Sequence, residues 1–121
     1  MSLYPDTPYE YSAIANGLIF TAGACPLDEE GLVVAAGDYE AQAVRAIENL
    51  LEALATHGVG AESLLKTTIY ALGTERGDLV RVWDVVATRL GRAPSTLLGV
   101  AMLGYPDQLV EIEAVAISQS T

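Results

Sequence analysis

Residues Leu109-Val110-Glu111-Ile112-Glu113-Ala114-Val115-Ala116 set two carboxylates among aliphatic side chains, alternating with them along the chain. A β-strand turns successive side chains to opposite faces. Val110, Ile112, Ala114 and Ala116 therefore share one side, and Glu111 and Glu113 share the other with Leu109, Val115 and Ile117. The first side is apolar enough to lie under helices. The second is too greasy for an ordinary wetted surface and too acidic for a helix-covered core. The residues leave two readings open: a strand with a partly wet face, or acids placed in a pocket or at a contact between subunits.

The preceding chain supplies the rest of one sheet. Tyr11–Ala15 and Leu18–Ala22 flank Asn16-Gly17, a pair that tolerates the positive φ angles of a type I′ turn, which predicts a hairpin. Cys25-Pro26-Leu27 and an acidic loop, Asp28-Glu29-Glu30-Gly31, come next. From about Tyr39 to His57 the spacing is helical, with Val44, Ile47, Leu50, Leu51 and Leu54 in one stripe and Arg45, Glu48, Asn49 and Glu52 off it. Asp38 is the expected N-cap and His57-Gly58 the expected ending. Leu64–Leu72 reads as a strand. A second helix is predicted from about Asp78 to Leu90, with Leu79, Val82, Trp83, Val86 and Leu90 on one face and Gly91 just beyond.

With the two apolar segments after Pro94 as closing strands, the order is β-β-α-β-α-β-β. That is an α+β fold, one sheet with two helices on one face. If the helices take the Val110/Ile112 side, Glu111 and Glu113 lie on the open face, and an open apolar face calls for a second subunit.

Composition narrows the partners. The chain of 121 residues is expected to form one domain, and its 51% hydrophobic against 18% charged residues leaves an apolar surplus to bury between subunits. Sixteen acids against six Lys and Arg give a formal charge of −10, and the basic residues are scattered. Nucleic-acid binders usually show a basic stripe, so this balance argues against RNA or DNA as the main partner. No long apolar run suggests a bilayer span, and the first residues lack the pattern of a signal peptide, so a cytoplasmic location is expected. One cysteine, Cys25, and one histidine, His57, offer no internal disulfide and no zinc ligand set.

Familiar catalytic devices are mostly missing. Gly58-Val59-Gly60 lacks the setting of a phosphate loop, and a Ser-His-Asp triad has no support. His57 reads as a residue at a helix end, Cys25 as a small buried filler and Trp83 as a core or interface anchor. The remaining candidates stand near strand ends. Glu111, if half-buried, can act as a general acid or base that positions water. Ser95 and Thr96 can offer hydroxyl and backbone N–H donors, and Tyr9 can close over a ligand. Each has an ordinary alternative: edge solvation for Glu111, strand-start hydrogen bonding for Ser95, packing for Tyr9.

Taken in series, several segments resemble the Rid family (YjgF-type, also called L-PSP endoribonucleases or reactive intermediate imine deaminases). They are Pro8-Tyr9, Gly17-Leu18-Ile19-Phe20-Thr21-Ala22-Gly23, Gln42-Ala43 with Asn49-Leu50, Leu65–Tyr70, and Val110–Ala116. The resemblance implies a chorismate-mutase-like fold, a homotrimer packed around a central barrel, and ligand clefts between subunits. It also implies hydrolysis of imines and enamines of the 2-aminoacrylate type without a cofactor. By the same resemblance Glu111 is the water-activating glutamate and Tyr9 the family tyrosine. The arginine that would hold a substrate carboxylate is replaced by Ser95, and a cysteine near it by Leu97. Arg92 lies three residues too early to substitute directly. A serine supplies neither the charge nor the forked geometry. The expectation is therefore a trimeric protein with a pocket lined by Tyr9, Ser95, Thr96 and Glu111. It would favour a small ligand other than a simple amino-acid imine. A non-enzymatic metabolite binder and, less well supported, an endoribonuclease are the alternatives.

Overall fold

Asn16 and Gly17 adopt φ angles of 52° and 78°, the positive pair that a two-residue hairpin turn demands. They join β1 (Ser12–Ala15) to β2 (Leu18–Thr21) in a computed structural model that describes residues 2–118. The chain continues through α1 (Tyr39–Ala55), a short 3₁₀ turn (Ala61–Ser63), β3 (Leu64–Leu72), α2 (Arg76–Leu90), β4 (Ser95–Val100) and β5 (Val110–Ile117). The sheet order is β1-β2-β5-β3-β4, antiparallel except for the β3–β4 pair. β3 and β4 follow one another in the chain and are joined through a helix, α2, as a parallel crossover requires.

Alternation along β5 is as the residues predict. Val110, Ile112, Ala114 and Ala116 are buried beneath the helices, while Glu111, Glu113 and Val115 are half-buried on the open face. From α1 the core receives Ile47, Leu50 and Leu54, and from α2 Val82, Val86 and Leu90. Asp38 caps α1 by accepting a hydrogen bond from the Ala41 N–H at 2.9 Å, and Gly91 ends α2 with φ 80°. Trp83 remains 38% exposed and is not a core anchor. On the same helix Val82, Val86 and Leu90 are the residues buried in the core.

The expected central barrel is corrected. The five strands form an open sheet, with β1 and β4 as edges separated by three strands, so nothing among the described residues closes it into a barrel. Among the described residues no helix is long and apolar enough to cross a membrane.

Asn49 also departs from expectation. It is 4% exposed, and its Nδ2 donates to the backbone oxygens of Cys25 and Leu27, each at 2.9 Å. Seven residues earlier and two turns along the same face, the wholly buried Gln42 donates from Nε2 to Asp107 O at 2.9 Å. Its Oε1 accepts from Leu109 N–H at 2.7 Å. Helix α1 thus carries two buried amides, each holding one loop at the start of β5.

Candidate functional site

Those two loops flank Glu111. One runs from the end of β2 through Gly23 and Cys25 and meets β5 by an isolated bridge between Ala24 and Ile112. The other, Gly104–Gln108, leads directly into β5. Between them lies a cavity of about 300 Å³ bordered by Tyr9, Gly23, Cys25, Gly104, Tyr105 and Glu111. Gly23 lets the Glu111 side chain lie against the loop: a Cβ there would stand 2.0 Å from Glu111 Oε2.

Polar contacts around the carboxylate are specific. Gln108 Nε2 donates to Glu111 Oε1 at 3.1 Å, and the Cys25 thiol lies 3.4 Å from the same oxygen. Across the mouth, the Tyr9 and Tyr105 hydroxyls share a hydrogen bond of 3.1 Å, and Tyr9 meets Tyr11 edge-on with ring centroids 6.1 Å apart. Burial, aided by the Glu111 charge and hydrogen bond, pushes the Cys25 thiol up to about 12, so it stays protonated across the neutral range. Burial and the hydrogen bond shared with Tyr105 likewise raise Tyr9 well above an ordinary phenol. The site presents one carboxylate, two tyrosine hydroxyls and a thiol that is no ready nucleophile.

Of the residues marked in the sequence, Tyr9 and Glu111 meet here. Ser95 and Thr96 do not border this cavity. Ser95 Oγ bonds Thr67 Oγ1 at 2.5 Å and Ala93 O at 2.9 Å, on the side of the sheet where Thr67 is buried. Thr96 lies on the open face and accepts from Lys66 Nζ at 2.5 Å. Arg92 borders a separate surface depression with Glu62 and Arg89. His57 bonds Ser12 through Nε2 at 2.8 Å and lies outside the site. The sequence reading missed Cys25, Tyr105 and Gln108. Gln108, two residues before β5 in a Pro-Asp-containing turn, carries no pattern that sets it apart from a surface amide. No cluster of three or more His, Cys, Asp or Glu among the described residues is placed to hold a metal ion.

Comparison with known proteins decides the family. The model of the family described as Endoribonuclease L-PSP matches residues 1–118. The chain belongs to this Rid/YjgF/L-PSP family. A RutC family protein from Synechocystis is 32% identical over 117 residues, covering 93% of this chain and 88% of that protein. Protein DfrA from Myxococcus xanthus is 34% identical over 105 residues, covering 86% and 79%. Among solved structures, the Rid-family protein YyfA from Yersinia pestis, described as of unknown function, superposes with a TM-score of 0.81 at 26% identity, covering 91% and 87%.

Proposed function

We propose that this protein hydrolyses small, uncharged imines, enamines or related carbonyl-type metabolites at the Glu111 cavity, in the cytoplasm and without a cofactor. It would belong to a branch of the Rid family without the substrate-carboxylate arginine. One observation carries the reading: a half-buried carboxylate faces two phenols across a cavity whose described lining contains no lysine or arginine. In the reaction, Glu111 takes a proton from water as the water oxygen bonds to the imine carbon. That proton passes to nitrogen, which gives a carbinolamine; the carbinolamine's hydroxyl proton then also passes by way of Glu111 to nitrogen as the C=O forms and the C–N bond breaks, releasing ammonia and a carbonyl product. The Tyr9 and Tyr105 hydroxyls orient the ligand's acceptor atom. A substrate carboxylate would meet Glu111 with no cation to hold it. The absence of a forked charge-assisted contact costs about 2–5 kcal/mol.

The reading takes the protein as a homotrimer with the cavity completed at contacts between copies. Phe20, Leu98 and Ile117 support self-association, since they lie on the open face and are 49%, 44% and 51% exposed. The number three rests on the family resemblance. Light scattering tests it, with Phe20→Glu expected to yield smaller species. A well-behaved lone protomer of the unaltered chain overturns it.

Hydrolysis is tested by supplying two imines. One is 2-iminopropanoate generated by an amino-acid oxidase, and the other is benzaldimine released from benzylamine by a flavin amine oxidase. Benzaldimine should be hydrolysed faster than in buffer, with little acceleration of the carboxylate-bearing imine. Robust keto-acid formation overturns the substrate preference. If Glu111→Gln alters affinity for carbonyl compounds while the unaltered chain shows no turnover, the protein is a metabolite-binding module instead. Ribonuclease activity, the word in the family's description, fits poorly with a formal charge of −10 and an acid-lined cavity. Incubation with RNA at physiological salt is expected to show no cleavage.

A further inference from the structure

Glu111 is gripped by one oxygen. Gln108 and Cys25 both approach Oε1, whereas among the described residues no side chain or backbone N–H donates to Oε2. Oε2 lies instead over Gly23, at the place a Cβ would fill. Gln108 has no freedom to turn its amide round. It is 2% exposed, its Oε1 accepts from Tyr105 N–H at 3.1 Å, and its Nε2 donates to Val110 O and Glu111 Oε1, both at 3.1 Å. The loop carrying it is fixed in turn by Gln42 through Asp107 O and Leu109 N.

We infer that Gln108 and Cys25 are positioning residues for Glu111. They occupy Oε1 as hydrogen-bond donors and leave Oε2 as the oxygen that receives the proton from the attacking water. This rests on the hydrolytic reading above. Gln108 supplies direction, because its amide is oriented by two backbone partners before it meets the carboxylate. Cys25 supplies a second donor, and burial keeps its proton in place. Its one proton has two acceptors within reach, Glu111 Oε1 at 3.4 Å and Gly23 O at 3.5 Å, and the charged oxygen is the stronger partner. Gly23 leaves space for Oε2, so two donors on Oε1 and none among the described residues on Oε2 make the two carboxylate oxygens unequal. The same arrangement gives the chain's single cysteine a role without nucleophilic chemistry.

Infrared spectroscopy and kinetics test this together. The chain has one cysteine, so its S–H stretching band is assigned without labelling. That band should lie at the low wavenumber of a thiol bonded to a carboxylate and rise in Glu111→Ala. On benzaldimine, Gln108→Leu should lower kcat about tenfold with KM little changed, the loss expected for one hydrogen bond to a charged group. Cys25→Ala should lower kcat less, and Cys25→Ser, which restores a donor, should recover most of it. Thermal melts confirm that each variant folds. A band that ignores Glu111→Ala, or a Gln108→Leu protein within twofold of the unaltered kcat, overturns the inference. Absence of turnover in the unaltered protein overturns the hydrolytic reading and the catalytic part of the inference with it. The band shift then still decides whether Cys25 is bonded to Glu111.

Discussion

Glu111 and Glu113 are the same residue type on the same face of the same strand, two positions apart, yet their surroundings differ. In register, Tyr70 of β3 sits opposite Glu111 and Thr68 opposite Glu113. The Tyr70 hydroxyl nevertheless reaches diagonally to the Glu113 carboxylate. Glu113 is thereby satisfied by its own sheet. Glu111, at the end of β5 where two loops converge, is met by Gln108 and Cys25 and faces a cavity. A strand pattern decides which face a carboxylate takes, while loops at the strand's end decide whether it has a pocket to work in.

The largest expected difference is in turnover. Glu111→Gln should reduce benzaldimine hydrolysis about a hundredfold or more, the usual range for loss of a general base. Glu113→Gln should stay within about threefold. Equal losses in the two variants would erase the distinction between the acids.

That distinction was half legible in the sequence. Period-two alternation identified the face shared by Glu111 and Glu113, and Asn16-Gly17, Asp38 and Gly91 marked element ends where the structure has them. Each of those signals is local, carried by residues adjacent or a turn apart. Cys25 and Glu111 are separated by 86 positions, and nothing between neighbouring residues announces their contact. Asn49 was misread for a related reason: helical periodicity counts an amide as polar, whereas this one is buried because two loop carbonyls need its donors. Ser95 offers a hydroxyl at a strand start, and the structure gives it the ordinary task of bonding Thr67 and Ala93 there.

The next effect concerns the loops that set Glu111 apart. Asn49→Ala removes two donors and leaves the Cys25 and Leu27 carbonyls without them under the helix. It should cost about 2–3 kcal/mol in chemical denaturation. Ser95→Ala, by contrast, should cost about 1 kcal/mol or less, since Thr67 keeps a rotatable hydroxyl. Matching costs would mean that the loop around Cys25 is no more tightly held than the start of β4.

Cys25 adds a dependence on pH that Glu113 has no means to produce. Its folded-state pKa, about 12, stands above the 9.0 of an unperturbed thiol, because burial and the Glu111 carboxylate disfavour the thiolate. The folded chain therefore holds this proton more tightly than the unfolded chain. The associated stability is fully present below pH 9, and it is lost as pH climbs toward 12. Cys25→Ser has no thiol to titrate, so its stability should fall less steeply across that window. All other ionisable groups are common to both proteins, which makes the difference between the two curves the quantity to measure. Parallel curves would show that the thiol does not feel the carboxylate.

The smallest effect belongs to the partnership of Tyr70 and Glu113, and it isolates what a carboxylate gains on this face without a pocket. The hydrogen bond from Tyr70 to Glu113 raises the tyrosine's pKa, with burial second, so the phenol donates its proton and the carboxylate accepts. Both side chains are half-buried on the open face. Water competes for each, and the net value should be about 0.5–1 kcal/mol. A double-mutant cycle of Tyr70→Phe and Glu113→Gln, read by urea denaturation, should return a coupling of that size and leave imine hydrolysis unaltered. Raising the pH through the Tyr70 titration should abolish the coupling, because a phenolate beside a carboxylate repels it. If the cycle instead lowers turnover as strongly as Glu111→Gln, Glu113 belongs to the reacting centre and Tyr70 orients it. The open face, rather than the cavity at its end, would then be where the chemistry occurs.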